Sequence, residues 1–439
     1  MSAGPVGTQG AASGRRTKIG QPWNALYLIA ALTMIFMTLA IALQPLFLRK
    51  VLGVSLGSAG MINANVEVLA ELLTLAVIGS LGVVSDRIGR VRILVSGFAV
   101  GAVGAFLGPF SPQWGAMLGV GSIAFYYFTR VAMSLGTCAV GPQLTTLAGD
   151  FTTYEDRARR ISNVTSMTAF GGALVFAVLM QMPRHIGVVP VMLFDAGLGA
   201  VGAWLAYRLL TDVAPRRLES AVPWRDIRAL LEREPRLQVA FVTALFSRSN
   251  VAVISLFYML WSIYFADLAG KSPELAAAQA GSLIGVAGLL LVITSIGWGV
   301  AIEKLGRLNA ITAGMAVSGT GFALMSLVVD PAHWWVLVPM TLIALGQAGA
   351  LLAPDLIAFD LTPRNLRGSV IGALNVTSGI GMIVTLELGG WLFDTVGPYG
   401  PFLLVGGCNL LVSAYVFIVS RRGAAERLAD SLEQDLNNA

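Results

Sequence analysis

Apolar residues in this chain fall in runs of roughly 20, the length that crosses about 30 Å of hydrocarbon as a helix. The runs repeat from one end of the sequence to the other. Where no water reaches the backbone, a run of this kind has to be helical to satisfy its own N–H and C=O groups. The pattern predicts twelve spans, at 24–47, 58–82, 93–110, 115–147, 161–182, 188–210, 238–265, 275–300, 309–329, 334–358, 369–392 and 400–420. The polar interludes divide the chain into a tail (1–20), a six-helix bundle (21–210), a linker (211–237), a second six-helix bundle (238–420) and a charged tail (421–439). Residues 1–20 have neither an apolar core nor a cleavage site, so they are expected to be a disordered tail rather than a signal peptide. The linker carries Pro215, Pro223 and Pro235, and Trp224 to Leu231 is expected to form a short amphipathic helix on the membrane surface.

Composition sharpens the picture. Hydrophobic residues make up 56% and charged residues 12%, against about 25% charged in ordinary soluble domains. The bilayer must therefore be the solvent, and the fold class is an all-α membrane protein. Of the 29 Lys+Arg, 23 fall on the side that holds both tails, while only Arg49, Lys50, Arg184 and Lys271 fall on the other. The positive-inside rule then places both termini in the cytoplasm, and a bacterial inner membrane is the expected location. The net charge of +5 reflects this topology and does not indicate nucleic-acid binding. Cys138 and Cys408 lie within spans, and His185 and His333 belong to no Cys/His cluster, so neither a disulfide framework nor a zinc site is expected. No phosphate-cradling G-x-x-x-x-G-K-[ST] loop occurs, which argues against an ATP-driven pump. No cofactor is expected.

A charged hairpin then appears twice. Gly82-Val83-Val84-Ser85-Asp86-Arg87-Ile88-Gly89-Arg90 recurs 217 residues later as Gly299-Val300-Ala301-Ile302-Glu303-Lys304-Leu305-Gly306-Arg307. A second repeat links Asp150–Arg157 with Asp360–Arg367, and Gly141-Pro142-Gln143 parallels Ala353-Pro354-Asp355. Duplicated membrane halves are a known transporter plan, with the substrate bound near the midplane between them. On these hairpin residues, and on Arg130 with Gly136 and Gly141 after it, the chain resembles a major facilitator superfamily transporter over residues 20–420. The fifth span has Gly171-Gly172 but no Gly-Pro pair of the kind typical of the family's drug/proton antiporters, which argues against a drug exporter. The resemblance implies two pseudo-symmetric six-helix bundles that alternate access to a shared site, and it ties Arg130 to proton coupling.

The hairpins have a physical role within that plan. A helix N-terminus carries a partial positive charge and unpaired N–H groups. Asp86 is expected to face the start of the eleventh span at Arg367-Gly368-Ser369, and Glu303 the start of the fifth at Arg160-Ile161-Ser162. Together with Gly82, Arg87, Gly89, Arg90, Gly306 and Arg307 they would form an inner gate that clasps the halves on the cytoplasmic side.

Ionisable residues inside spans are costly and usually face the bundle interior. The candidates are Glu67, Glu71, Arg130, Asp195, Arg248, Asp355 and Glu387. Glu67 and Glu71, spaced i, i+4, share a helix face about 6 Å apart, with Asn63 one turn further out. Close carboxylates in a low dielectric resist joint ionisation, which suits a proton or cation carrier. A structural ion pair to Arg130 or Arg248 is the alternative. Arg248 would hold an anionic solute or neutralise an acid across the pseudo-axis. Asp355 is expected at the inner gate, and Asp195 and Glu387 near an outer one. Tyr126, Tyr127, Phe257, Tyr258, Trp261 and Tyr264 are expected either to line the cavity or to pack. Five acids against two arginines favour a proton or a cationic solute such as a metal ion. The sequence thus reads as a proton-coupled secondary transporter of a small solute, functional as a monomer. A small organic-anion transporter, or a receptor or assembly factor of the same fold, is the alternative.

Overall fold

The computed structural model describes residues 23–151, 157–212, 224–363 and 366–437. Within its helices, the side chains of 78–80, 82–83, 86–87, 142, 145, 149–150, 157–158, 224 and 423–437 lie outside the described set. Twelve helices are long and apolar enough to cross a membrane: α1 Trp23–Lys50, α2 Leu56–Val77, α3 Arg90–Met117, α4 Ser122–Ala148, α5 Arg159–Ile186, α6 Val188–Leu209, α7 Pro235–Leu268, α8 Pro273–Leu305, α9 Arg307–Met325, α10 Trp334–Leu361, α11 Arg367–Thr395 and α12 Gly400–Arg422. The α2 helix continues to Ile88 and the α12 helix to Asn437. The described residues contain no strand.

Two boundaries differ from the sequence expectation. The overlong fourth span loses its first residues to α3, because Gly119 adopts a positive φ of 69° and turns the chain before Ser122. The seventh begins at Pro235 rather than 238, with proline at the first helical position, where its missing N–H costs nothing. The linker does contain a helix, Trp224–Arg233. Its Ile227 is buried with Leu237, Ala358, Val370 and Ala373, so the linker helix is docked on the second half.

Helix neighbours repeat six helices later. Helix α3 packs on α4 and α6 as α9 packs on α10 and α12, and α1 packs on α5 as α7 packs on α11. Across the halves, α2 packs on α11 and α8 on α5. The closest crossings repeat too: a Cβ at Gly97 would lie 2.7 Å from the Gly136 carbonyl oxygen, and one at Gly314 would lie 2.9 Å from that of Gly346. Only glycine admits backbones this near.

The hydrophobic cores show how the halves meet. At the end away from the chain termini (the far end), one cluster spans both halves and includes Leu46, Phe47, Phe257, Tyr264, Ala277 and Phe393. Towards the termini (the near end) the cores are separate. One unites Leu94, Phe98, Leu144 and Leu147 in the first half, and another unites Ile311, Met315, Ile357 and Val412 in the second. Helix α8 is uncovered along its near half, where Val292, Ile293, Ile296 and Val300 are exposed.

Candidate functional site

Among the described residues, the side-chain hydrogen bonds and ion pairs that join the halves lie at the far end. Arg49, ending α1, forms an ion pair with Asp267 of α7, and its guanidinium lies 5.1 Å from the Tyr264 ring. Lys50 pairs with Glu274 at 3.2 Å. The Tyr264 hydroxyl donates to the Val54 carbonyl at 2.9 Å, and Gln181 of α5 donates to Ala278 and Ser282 of α8. Asp394, ending α11, accepts the backbone N–H groups of Gly60 and Met61 in α2 at 2.7 and 2.9 Å. The carboxylate thus bridges from the end of α11 to the second turn of α2.

Below this seal the intramembrane charges converge from both halves. Glu67 of α2 pairs with Arg130 of α4 at 2.6 Å, so the structural ion pair weighed from the sequence is formed. One turn nearer the termini, Glu71 lies against Gly379 of α11. Arg248 of α7 is exposed, and it is close enough to interact electrostatically with Glu71 from the other half and with Asp355 of α10. It therefore stands between acids across the pseudo-axis. Glu387 of α11 acts electrostatically on Tyr127 of α4, whose hydroxyl donates to the Ile62 carbonyl at 3.1 Å.

Local sequence explains why Arg248 is presented. Ser247, Ser249 and Asn250 flank it, and such side chains compete with the backbone for hydrogen bonds. Helix α7 is interrupted here, and a π-helical turn follows at Ile254–Tyr258. The Ser247 carbonyl accepts from Gln347 Nε2 at 2.7 Å and the Phe246 carbonyl from Ser249 Oγ at 2.6 Å. Turns of this kind inside helices are frequent at functional sites.

Three expectations are corrected. Asn63 is not on the path. It is fully buried, donating to the Ala59 carbonyl and accepting from Gln44 of α1. Asp195 is not at an outer gate but sits inside the first half behind Arg130. The expected clasp between Glu303 and the start of α5 is not formed: Glu303 is exposed, while Arg160 stacks over the Trp23 ring at 4.7 Å. The near-end cores of the two halves are separate clusters, and among the described residues no bond joins Glu303 to the start of α5. The surroundings of Gly82 and the side chains of Asp86 and Arg87 lie outside the described residues. Arg367, the expected partner of Asp86, lies over the Phe359 ring. Tyr126, Phe257, Tyr258, Trp261 and Tyr264 pack in buried positions.

The hairpin glycines keep matching roles in both copies. Gly89 and Gly306 have φ of 111° and 79°, conformations that favour glycine. The copies differ next door. Asp212 accepts the N–H groups of Arg90 and Val91 at 2.8 and 3.0 Å, capping α3. Arg90 itself reaches the Thr146 carbonyl at 3.3 Å, and Arg307 pairs with Asp360 at 2.6 Å.

Sequence reasoning missed a buried polar network in the second half. Asn250 donates to Gln347 Oε1 at 2.7 Å, and Asn409 of α12 donates to Asn250 Oδ1 and Ser318 of α9. Asn, Gln and Ser carry no charge, so a scan for intramembrane charges passes over them. The far-end pairs were missed because Arg49, Lys50, Asp267, Glu274 and Asp394 stand at span ends, where charges are unremarkable.

Comparisons with known proteins agree with this architecture. The family model described as Major Facilitator Superfamily matches residues 26–291 and 251–435. Magnetosome protein MamH of Paramagnetospirillum magneticum is 48% identical over 412 residues, covering 94% of this chain and 95% of the relative. Magnetosome protein MamZ of the same organism is 34% identical over 408 residues; the match spans 92% of this chain but only 63% of MamZ. Among solved structures, nucleoside transporter NupG superposes with a TM-score of 0.72 at 12% identity, over 90% of this chain and 98% of that one. That likeness is one of fold.

Proposed function

The chain belongs to the major facilitator superfamily, and from that premise we propose that it is a secondary active transporter that moves a small cationic solute by alternating access, coupled to protons. One observation carries the reading. The halves are sealed at the far end by ion pairs and a helix-end carboxylate, and their near-end cores are separate. This is the arrangement of a transporter open to the cytoplasm, given termini on that side. The path holds Glu67, Glu71, Asp355 and Glu387 against Arg130 and Arg248, so carboxylates remain in excess and favour a cation or a proton.

Among the described residues, no three His, Cys, Asp or Glu side chains gather as a metal cage. A metal-ion substrate would thus be held by one or two carboxylates with its own waters or ligands in place, as hard divalent cations often are. Glu71, set against Gly379 and within electrostatic reach of Arg248, both of the second half, is the carboxylate best placed to exchange a proton with that substrate. The name of its relative MamH supports locating the chain in the magnetosome membrane.

The test is reconstitution in liposomes loaded with a pH-sensitive dye, with divalent metal ions and small organic cations added in turn under an imposed pH gradient. The expected result is proton movement that depends on one of these solutes and fails in Glu71→Gln. Tight binding of a solute without any flux would overturn the transport reading in favour of a receptor.

A further inference from the structure

Behind the Glu67–Arg130 pair lies a carboxylate that the path above leaves unused. Asp195 on α6 is 2% exposed, and its Oδ1 has no hydrogen-bond partner. Arg130 is 7% exposed; it gives Nη2 to Glu67 and leaves Nε without a partner. Both line a small chamber among α1, α3, α4 and α6, walled by Ala40, Gly104, Gly108 and Thr129, with about 20 Å³ of room. That is space for about one water molecule. Asp195 and Arg130 act on each other electrostatically, and among the described residues no other charge acts comparably on Asp195. The walls from α1 and α3 are apolar, while α4 adds Thr129 and the Tyr126 ring.

One guanidinium therefore stands between two carboxylates, Glu67 towards the path and Asp195 away from it. Two acids share one base here, and a buried carboxylate without its partner is costly. We propose that Arg130 is a two-position switch whose second position is Asp195. When Glu67 takes up one positive charge from the path, as a proton or the cationic solute, the guanidinium turns into the chamber and pairs with Asp195. In the proton case a hydrogen ion binds a Glu67 carboxylate oxygen, the Glu67–Arg130 contact breaks and the Arg130–Asp195 contact forms. The only covalent change is the new O–H bond. Asp195 is then a positioning residue: it offers Arg130 a place to go, and so sets how readily Glu67 is released. The switch rests on the transport reading for its purpose, but its geometry is testable without any transport assay.

The decisive experiment is the structure of Glu67→Gln, determined by cryo-electron microscopy with a bound antibody fragment. The expected result is the Arg130 guanidinium within hydrogen-bond distance of Asp195 Oδ1. A guanidinium left in its present place would overturn the switch while leaving the transport reading intact. A second measurement uses spin-label distances between the near ends of the halves, recorded between about pH 5 and about pH 8, where folds are generally intact. The charged and titratable groups around the switch are Glu67 and Glu71 on α2, Tyr126 and Tyr127 on α4, and Glu387 on α11. Asp195→Asn is expected to abolish the pH-dependent shift in distance and Asp195→Glu to restore it. A purely structural Asp195 would lower thermal stability and leave the shift as in wild type, and that outcome overturns the proposal. If Asp195→Asn does not fold, the Glu67→Gln structure decides alone.

Discussion

Asp394 provides the sharpest handle on the conformational equilibrium. Its two carboxylate oxygens accept the Gly60 and Met61 N–H groups, at 2.7 and 2.9 Å, from the opposite half. Hydrogen bonds to a charged acceptor contribute about 1.5–3 kcal/mol net, against about 0.5–1.5 kcal/mol for neutral pairs. Asp394→Asn preserves the shape and one acceptor, removes the charge, and turns an amide NH₂ towards a backbone donor. The site is partly exposed, so water reclaims some of the loss, and about 1–2 kcal/mol is expected to remain. A change of that size multiplies the population open at the far end roughly 5–30-fold. The assay is a distance distribution between spin labels at Ser55→Cys and Lys271→Cys, on opposing far-end loops, in a background carrying Cys138→Ala and Cys408→Ala. A longer-distance population should grow in the Asp394→Asn protein. A distribution identical to that of the parent would refute the idea that charge at this contact holds the far end shut.

Further expectations follow from other contacts. Glu71→Gln should abolish proton-driven flux in liposomes while largely sparing solute exchange; equal loss of both would point to binding or folding instead. Gly306→Ala should lower thermal stability by about 1–2 kcal/mol through its left-handed backbone, and Gly89→Ala should cost more, because a Cβ there would collide with the Asp212 carboxylate. Equal midpoints in thermal unfolding of the two variants would contradict this. Gln347→Leu should cost about 1–3 kcal/mol, since the buried Asn250 Nδ2 loses its acceptor and the Ser247 carbonyl loses the donor from Gln347; an unchanged unfolding midpoint would show that the network is not needed.

The architecture was legible because apolar run length and repeated hairpins constrain a membrane chain strongly. The Gly89 and Gly306 turns, the twelve helices and the pairing of α2 with α11 follow from patterns that the bilayer leaves little freedom to vary. The site was legible in its charges but less so in their partners. Glu67, Arg130 and Arg248 were visible as expensive residues, yet helical spacing alone left open which would pair and which would face the path. Asn63 and Asp195 were misplaced because distance along a helix gives depth but not azimuth, and azimuth decides whether a side chain meets the path or a neighbouring helix. Asp394 escaped notice because its importance lies in a glycine 334 residues away, whose missing Cβ lets the carboxylate approach.

Asp212 is pinned to the first turn of α3, and the helix beginning at Trp224 is docked on the second half. The leash between the two bodies therefore begins at one fixed anchor and ends at another. Residues 213–223 span at most roughly 40 Å, which caps how far the anchors can part, and among the described residues the bonds that hold the two bodies together are the locks at the opposite face.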